Sequence, residues 1–551
     1  MNFKTFILIN LIFGSSICYS QNWIFRIKPL IGSPIISFQK FNSVIFDNQI
    51  IYSNGNKPAN FLFSDNANIH PAFNMDLYTE IYQLNKNILI IEREDDIGGC
   101  HRVKRIDTTN KNGVVERLFT EHSPRVYSST YKVFIDLLKK MDLDFYELFT
   151  PYNFSIATIG GQTIWETLSY GEMFSLFVDF SILLVNDDYG KNMSMSDYTE
   201  SRGFTQKSRD MIDRICRLTD GATSDQYTLN KFLQLFNQQA PYTLYQPKRP
   251  NDTGLFSLWK SYLEKNKVDF LLETTVEKLQ INTITNTISS VHCKYQGKDI
   301  EIFGDKFIIA TPPTNLVKLL ENSNDEEIKN SFGDFEKLKV WSRDTDYINY
   351  ISVIFHWDTK LDLDKIYGFP KTEWGVAFVV LSDYIQFAES QSKTVISTAI
   401  TILNMPSSKI NKTANQCDKL EIIKEVLDQL KISFPNLPTP TVSIISPELS
   451  REDGVWDSLD TAFIASSNQP NLDFSSKTIS NLFNLGTQNG QNIYKFTSME
   501  SAVTNAVVLS HVLYPELKDS FKVESAFTTR SIILVFILLL CIIYVFIRNK
   551  T

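Results

Sequence analysis

The chain has 551 residues, 43% hydrophobic and 21% charged, with 54 Lys and Arg against 62 Asp and Glu and a formal net charge of −8. This length fits two or three domains, and the charged fraction is that of a folded, solvated body. The acidic balance and the lack of a Lys- and Arg-rich block argue against nucleic acid as a partner. Glycine is scarce, since only 21 of the 551 residues are glycine, whereas about 7% of a typical protein is glycine. Places where glycines cluster are therefore informative.

The first 20 residues have the pattern of a secretory signal peptide. Lys4 precedes an apolar stretch over 6–18, and the small residues Cys18 and Ser20 lie just before a cleavage point after residue 20. Such a peptide directs the rest of the chain into the secretory pathway. The alternatives are a buried first strand and an N-terminal anchor.

At the other end, residues 531–547 carry no charge and are followed by Arg548 and Lys550. Seventeen uncharged residues are at the lower limit for crossing a hydrocarbon core of about 30 Å. We therefore predict a juxtamembrane linker over 516–530, a transmembrane helix over 531–547 and a cytosolic tail over 548–551.

Together, the two ends predict a single-pass type I membrane protein whose body is lumenal or extracellular. Acceptor sequons at Asn153, Asn192, Asn251 and Asn411 agree with this placement and predict a glycoprotein.

Between the ends, periodicity predicts a helix over 71–84 and then a continuous apolar strand over 87–92, as in a buried parallel sheet. The other predicted helices are 131–145, 255–263 and 498–513, and the other predicted strands are 270–272, 275–280, 289–295, 300–303, 306–310, 347–357, 375–381, 394–403 and 479–485.

The most informative stretch joins the strand at 88–91 to Glu92, the pair Gly98 and Gly99, and Arg102. Dinucleotide-binding folds place an acid at a strand end to hold the ribose hydroxyls, and glycines where the backbone approaches the cofactor. The alternative is an exposed strand end followed by an ordinary turn.

This stretch resembles the flavin-containing amine oxidase superfamily, which includes monoamine and polyamine oxidases, protoporphyrinogen oxidase and carotenoid desaturases. The resemblance implies FAD as the cofactor, with Glu92 on the adenosine ribose and Gly98, Gly99 and Arg102 along the flavin and pyrophosphate. In the family the basic residue directly follows the second glycine, whereas here Cys100 and His101 intervene.

Three later stretches are similar to family motifs in order and spacing. Residues 254–279 resemble the helix and strand in which a Val backbone contacts the adenine, here Val276, and residues 305–313 resemble the return strand and its turn. Residues 484–488 and 494–503 resemble the closing flavin motif. The residues that this motif implies as cofactor contacts are Gly486, Thr487, Gln488, Met499 and Glu500.

The chain departs from the family most clearly before Glu92. The family's Gly-x-Gly-x-x-Gly loop should lie near 65–75, yet Ser64 to Asn74 contains no glycine. Side chains there would obstruct the phosphates, which a helix N-terminus normally holds. Three explanations stay open: degenerate flavin binding, an inactive descendant, or a misassembled first coding segment.

The catalytic side is less defined. The family's Lys near the reactive flavin nitrogen has no equivalent in the strand at 347–357, and no Cys lies close before Gly486, so flavin is expected to be non-covalent. Tyr494 is a candidate aromatic wall beside the flavin, with core packing as the alternative. Lys495 is a candidate flavin contact, with a solvent-facing position as the alternative.

We therefore predict an α/β fold in which a discontinuous Rossmann-like FAD-binding domain is interleaved with an α+β substrate domain. The predicted ranges are a divergent segment at 21–75, the FAD-binding domain at 76–150, 251–330 and 470–515, and the substrate domain at 151–250 and 331–469. The predicted function is hydride transfer from a small or lipophilic substrate molecule to FAD. The alternative is a membrane-anchored pseudoenzyme or binding module.

Overall fold

The computed structural model describes residues 88–548 with short gaps, and before residue 88 only the strands at 43–46, 49–52 and 60–63. The gaps are 110–112, 121–125, 153–154, 157–163, 221, 239–242, 344, 348–349, 364–365, 368–371, 388–389, 448, 453, 459–462, 465–470, 493–497 and 525–527. The predicted signal peptide and the predicted helix at 71–84 lie outside the described residues. Strands are numbered β1–β25 and helices α1–α14 in chain order.

A five-stranded sheet with parallel neighbours forms the centre of the dinucleotide-type domain. Its order is β11 (Asp269–Leu271), β4 (Ile88–Ile91), β3 (Asn60–Phe63), β15 (Phe307–Ile309) and β25 (Leu482–Asn484). Every residue of β4, β15 and β25 is buried, as expected for a sheet covered on both faces. The central strand β3 precedes residue 76, so the sheet begins earlier in the chain than the predicted domain boundary.

The two faces of this sheet bury different partners because side chains alternate along each strand. Ile88, Ile90 and Ile308 pack with α1, α8 and α13 in one cluster. Leu89 and Ile91 pack on the other face with a three-stranded antiparallel sheet and α9. The elements of these two layers are α1 (Lys132–Lys140), α8 (Leu255–Lys265), α13 (Met499–Leu513), β12 (Thr274–Asn282), β13 (Thr287–Tyr295), β14 (Lys298–Phe303) and α9 (Pro313–Asn322).

The rest of the fold contains a four-stranded antiparallel sheet and a group of helices that come from separate stretches of the chain. The sheet order is β19 (Val376–Val380), β20 (Thr394–Ile400), β17 (Ile351–Trp357) and β21 (Val442–Ile445), with α12 (Lys419–Leu430) packed on one face. The helices are α3 (Ile164–Thr167), α4 (Tyr170–Leu183), α5 (Met195–Ser201), α6 (Gln206–Asp220) and α7 (Leu229–Gln238). Arg214 and Arg217 of α6 donate to the carbonyls of Thr372 and Thr401, which joins the helices to the sheet.

Smaller elements complete the described residues. A three-stranded sheet has the order β7 (Tyr127–Ser128), β10 (Leu244–Pro247) and β8 (Phe149–Pro151). The strand pairs are β1 (Ser43–Phe46) with β2 (Gln49–Tyr52), β5 (Arg105–Thr109) with β6 (Val115–Phe119), β9 (Ser155–Ile156) with β18 (Ile366–Tyr367), β16 (Asp346–Tyr347) with β24 (Phe463–Ile464), and β22 (Leu449–Glu452) with β23 (Val455–Ser458). The short helices are α2 (Phe145–Leu148), α10 (Glu326–Lys329) and α11 (Phe335–Arg343).

The last described helix, α14 (Thr529–Arg548), covers the segment predicted to cross a membrane. Its first turn is tied to α7, since the Thr529 hydroxyl donates to the Phe236 carbonyl and the Arg530 N–H donates to Asn237 Oδ1. Among the described residues, no helix combines the length and hydropathy of a membrane span. The predicted transmembrane helix at 531–547 is therefore not confirmed.

One of the predicted glycosylation sites is wrong. Asn251 is fully buried, so its side chain cannot carry a glycan in this fold. Asn192 and Asn411 are exposed, and Asn153 lies outside the described residues.

Candidate cofactor-binding site

Three strands of the parallel sheet end at the same edge, and each leads into one of the motifs singled out in the sequence. β4 leads into Glu92, β15 into Thr311 and β25 into Gly486. The Leu485 N–H donates to the Ile309 carbonyl at 2.9 Å, so the last two turns lie side by side. Ligands of open α/β sheets bind at the carboxyl ends of such strands.

Glu92 is buried where β4 ends, and its carboxylate faces a basic side chain. Glu92 Oε1 accepts a hydrogen bond from the Glu94 N–H at 3.1 Å and lies 3.6 Å from Arg102 Nη2. Burial alone would raise the pKa of Glu94, but the hydrogen bond from Lys104 and the charges of Arg102, Lys104 and Arg93 lower it to about 2. The structure thus brings Glu92 and Arg102 together at the end of β4.

The glycine pair makes the turn that returns the chain over Glu92. Gly98 has φ of 137° and Gly99 has φ of 52°, and a Cβ on Gly98 would lie 2.9 Å from the Arg102 Cα. A side chain at Gly98 is therefore excluded both by backbone conformation and by space. The two additional residues, Cys100 and His101, lie in a 3₁₀ turn that ends at Arg102, whose Nε donates to the Asp96 carbonyl at 2.9 Å.

After β25, Gly486 allows a close approach of a different kind. Its backbone is extended, with φ of 173°, which any residue adopts. A Cβ there would lie 1.7 Å from Gln488 Oε1, because the Gln488 side chain folds back over the glycine. Gln488 Nε2 donates to Asn484 Oδ1 at 2.9 Å.

Three buried polar atoms at this edge have no hydrogen-bond partner among the described residues. They are Thr311 Oγ1, Thr487 Oγ1 and Gln488 Oε1, in residues that are 4% exposed or less. A buried polar group without a partner costs about 1–3 kcal/mol, so a cluster of three is expected where a polar ligand supplies the partners. The two threonine hydroxyls can donate to phosphate oxygens and the Gln488 oxygen can accept from a hydroxyl, so the three atoms fit a dinucleotide cofactor such as FAD.

The predicted helix N-terminus lies beside this edge. Ser498 caps α13 by accepting a hydrogen bond from the Ser501 N–H. Asn492 Nδ2 donates to the Glu500 carbonyl at 3.0 Å and to Thr504 Oγ1 at 2.6 Å, which holds the loop after Gln488 against the helix. The first N–H groups of α13, those of Met499 and Glu500, have no acceptor within the helix and carry its positive dipole end.

The Glu500 side chain, in contrast, points away into the protein. Its two carboxylate oxygens accept hydrogen bonds from the Val133 and Phe134 N–H groups at the start of α1, both at 2.9 Å. Burial raises the pKa of Glu500 to about 8, against these two backbone hydrogen bonds, which favour the charged form. Glu500 therefore joins the starts of α1 and α13, and only its backbone is placed to contact a cofactor.

Strand β12 brings the backbone near Val276 close to the backbone of Glu92. The Thr274 N–H donates to the Glu92 carbonyl at 2.9 Å, two residues before Val276. The Val276 side chain is buried in the core, and the pairing of β12 with β13 shifts its register directly after Val276. The backbone of Val276 thus remains the candidate contact.

The four-stranded sheet presents a small, uncharged face opposite α12. Ser352 of β17 is opposite Ala399 of β20, which is in turn opposite Ala377 of β19, and Ser352 Oγ is buried without a partner among the described residues. Because side chains alternate along a strand, Ile354 and His356 follow Ser352 on the same face of β17. His356 Nε2 is 2.9 Å from the Phe119 carbonyl, and burial lowers the pKa of His356 to about 4.

Several sequence predictions lie outside the described residues. They are the glycine-free segment 64–75 and the catalytic candidates Tyr494 and Lys495. Conversely, Thr311 and His356 were not among the site residues predicted from the sequence. Thr311 carried a usable signal, since it is the first polar residue after a buried apolar strand. His356 did not, because its partner Phe119 is distant in the chain.

Comparison with solved structures shows which proteins share this fold. A redesigned putrescine oxidase matches with a TM-score of 0.55 and 12% identity, over 83% of this chain and 99% of that chain. Cyclohexylamine oxidase from Brevibacterium oxydans matches with a TM-score of 0.54 and 11% identity, over 84% of this chain and 100% of that chain. An oxidoreductase from Methanosarcina mazei matches with a TM-score of 0.54 and 11% identity, over 82% of this chain and 99% of that chain.

Neither protein-family models nor curated proteins give a sequence match. The chain nevertheless has the mixed α/β fold of these oxidases over almost their whole length, so the resemblance to flavin-containing amine oxidases is confirmed at the level of the fold.

Proposed function

We propose that this protein is an FAD-dependent oxidoreductase of the amine oxidase type. The observation that carries the proposal is the cluster of buried atoms Thr311 Oγ1, Thr487 Oγ1 and Gln488 Oε1, which have no hydrogen-bond partner in the described part of the chain and lie at the edge where β15 and β25 end. Bound FAD would supply a hydride acceptor for a small or lipophilic substrate.

Each residue of the site has a separate task in this proposal. Glu92 holds the ribose, Gly98 and Gly99 let the backbone approach, and Arg102 orients Glu92 and offsets phosphate charge. The start of α13 faces the part of the cofactor that gains negative charge, since helix N-termini stabilise anions. The substrate-side wall is formed by Ser352, Ala377 and Ala399, whose small uncharged side chains suit an apolar or neutral substrate.

A second candidate is a pseudoenzyme that keeps the fold as a binding module. The observation in its favour is the absence of glycine between Ser64 and Asn74. Both candidates require the same fold, and they differ in whether flavin binds.

Purification of the full chain in detergent tests the proposal, because bound flavin gives visible absorption bands. We expect a yellow protein, and Glu92→Gln to weaken FAD binding roughly tenfold or more, since hydrogen bonds to charged groups contribute about 1.5–3 kcal/mol. Asp107→Asn is the matched control, because the Asp107 side chain is 64% exposed, and it should leave the affinity for FAD unchanged. A folded protein that stays colourless after FAD is added establishes the pseudoenzyme instead.

We propose further that α14 attaches the body to a membrane. In support, the apolar side chains of the helix, such as Phe536, Leu538 and Val545, are 53–60% exposed. The protein should then remain in the pellet after alkaline carbonate extraction and dissolve in detergent. Release into the carbonate supernatant would contradict the attachment.

We also propose the secretory placement of the body, on the basis of the N-terminal sequence. In that placement, the exposed sequons at Asn192 and Asn411 receive glycans. Endoglycosidase treatment should then increase gel mobility, and the double change Asn192→Gln and Asn411→Gln should reduce that shift. A chain made in secretory cells that shows no shift would contradict the placement.

A further inference from the structure

Helix α4 has its charged side chains on the inside. Glu172 and Asp179 are 7% and 0% exposed. The Glu172 carboxylate accepts hydrogen bonds from the N–H groups of Ser169 and Thr205. The Asp179 carboxylate accepts hydrogen bonds from the hydroxyls of Tyr189 and Tyr198 and from the Arg202 guanidinium. Both acids are therefore fully engaged within the helical group.

The outer face of α4 is apolar. The exposed residues form a stripe at helical spacing, here named the α4 stripe, and none is charged. Its members are Tyr170 (68% exposed), Phe174 (67%), Phe177 (46%), Val178 (36%), Ile182 (36%) and, just beyond the helix, Val185 (81%). A surface helix normally has its polar residues on this side. A contiguous exposed apolar patch marks an interaction surface.

The α4 stripe ends where α14 begins. Arg530 forms an ion pair with Asp187, two residues after Val185. Ile533 of α14 packs against the cluster that contains Phe180 and Leu183 of α4. The exposed apolar side chains of α14 therefore leave the body at the same edge.

The distribution of exposed apolar side chains around α14 indicates what covers this helix and the adjacent α4 stripe. Its residues Leu534 to Leu540 are all 48–60% exposed, so its apolar side chains face every direction. A protein partner would cover one side of such a helix, whereas lipid surrounds it. The α4 stripe itself fits the interfacial plane, where aromatic and aliphatic side chains enter the boundary of headgroups and acyl chains.

We propose that the α4 stripe is a second membrane contact, lying in the plane of the lipid surface beside α14. This rests on the membrane attachment proposed above for α14. Because the stripe has no charge, it recognises the apolar boundary of zwitterionic phospholipid and does not require anionic headgroups.

Photocrosslinking of the full chain in phosphatidylcholine vesicles tests this contact. The photoreactive residue p-benzoylphenylalanine is placed at position 174 in place of Phe174. Position 536 in α14 is the reference for membrane attachment, and position 284, where Ile284 is 94% exposed between β12 and β13, is the matched exposed control. We expect a mass shift of one phospholipid at positions 174 and 536 and none at position 284.

The other outcomes separate the two proposals. A lipid adduct at 536 without one at 174 overturns the α4 contact and leaves the attachment through α14 intact. A protein–protein adduct at 174 overturns it in favour of a second copy of the chain on the stripe. No lipid adduct at either position overturns both.

Discussion

At the scale of single residues, Gly486 is predicted to be coupled to Gln488. In Gly486→Ala, the new Cβ would displace the Gln488 amide, which lies 1.7 Å from its position, and break its hydrogen bond to Asn484. We expect a loss of about 1–3 kcal/mol in the free energy of unfolding, measured in urea without added FAD. Adding Gln488→Ala removes the clash, so the two changes should be non-additive by about 0.5–3 kcal/mol.

Gly171→Ala is the control for this cycle. A Cβ at Gly171 meets nothing within 4 Å, and alanine favours a helix by about 0.5–1 kcal/mol over glycine, so stability should stay equal or rise. Strict additivity of Gly486→Ala and Gln488→Ala would show that the close approach is not rigid.

Residues were predictable where their task depends on a local pattern. Glu92 and Gly98 follow the buried strand β4 within ten residues, and the sequence pattern selected both. Glu500 lies at a helix start, as the pattern predicted, but the position of its side chain depends on Phe134 of α1, which is 366 residues away in the sequence. A local sequence pattern does not contain such a pairing, because only the folded chain brings the two residues together.

At the scale of elements, boundaries were most predictable for helices with a cap. α13 begins directly after Ser498, whose hydroxyl caps it, and ends at Leu513 as predicted. The strand predicted at 347–357 instead divides into β16, which pairs with β24, and β17, which pairs with β20 and β21. A continuous apolar run gives no signal for a change of pairing partner.

Glu500 connects α13 to the start of α1, so its protonation should affect the stability of the folded protein. Its folded pKa of about 8 lies above the ordinary value of 4.5. Its contribution to stability is thus fully present below about pH 4.5 and is lost as the pH rises through about 8. Glu500→Gln should abolish this part of the pH dependence of the unfolding temperature, and should also cost about 1–3 kcal/mol through poorer hydrogen bonding to the start of α1.

Glu336→Gln is a suitable comparison, because the Glu336 side chain is 78% exposed. This variant should keep the same pH dependence as the unaltered protein. If Glu500→Gln also keeps it, Glu500 does not titrate in this range and the decline in stability has another source.

At the scale of the whole molecule, the dinucleotide-type part and the four-stranded sheet share one hydrophobic cluster. Ile354 of β17 packs there with Val103 and Phe119, which follow the glycine turn, and with Val379 and Val395 of the neighbouring strands. The hydrogen bond between His356 and the Phe119 carbonyl lies in the same contact. The fold of the candidate cofactor site is therefore supported by the sheet proposed as the substrate wall.

This shared cluster predicts that the two parts open together. Ile354→Ala should cost about 2–5 kcal/mol and, in hydrogen exchange, reduce protection in β4 and β15 as well as in β17 and β20, because Ile354 touches both parts. Ile422→Ala removes an equally buried side chain from α12, whose cluster contains the four-stranded sheet and none of the residues of β4 or β15, and should reduce protection mainly in that sheet. If Ile354→Ala leaves exchange in β4 and β15 unchanged, the two parts unfold independently and the shared cluster does not couple the cofactor site to the substrate wall.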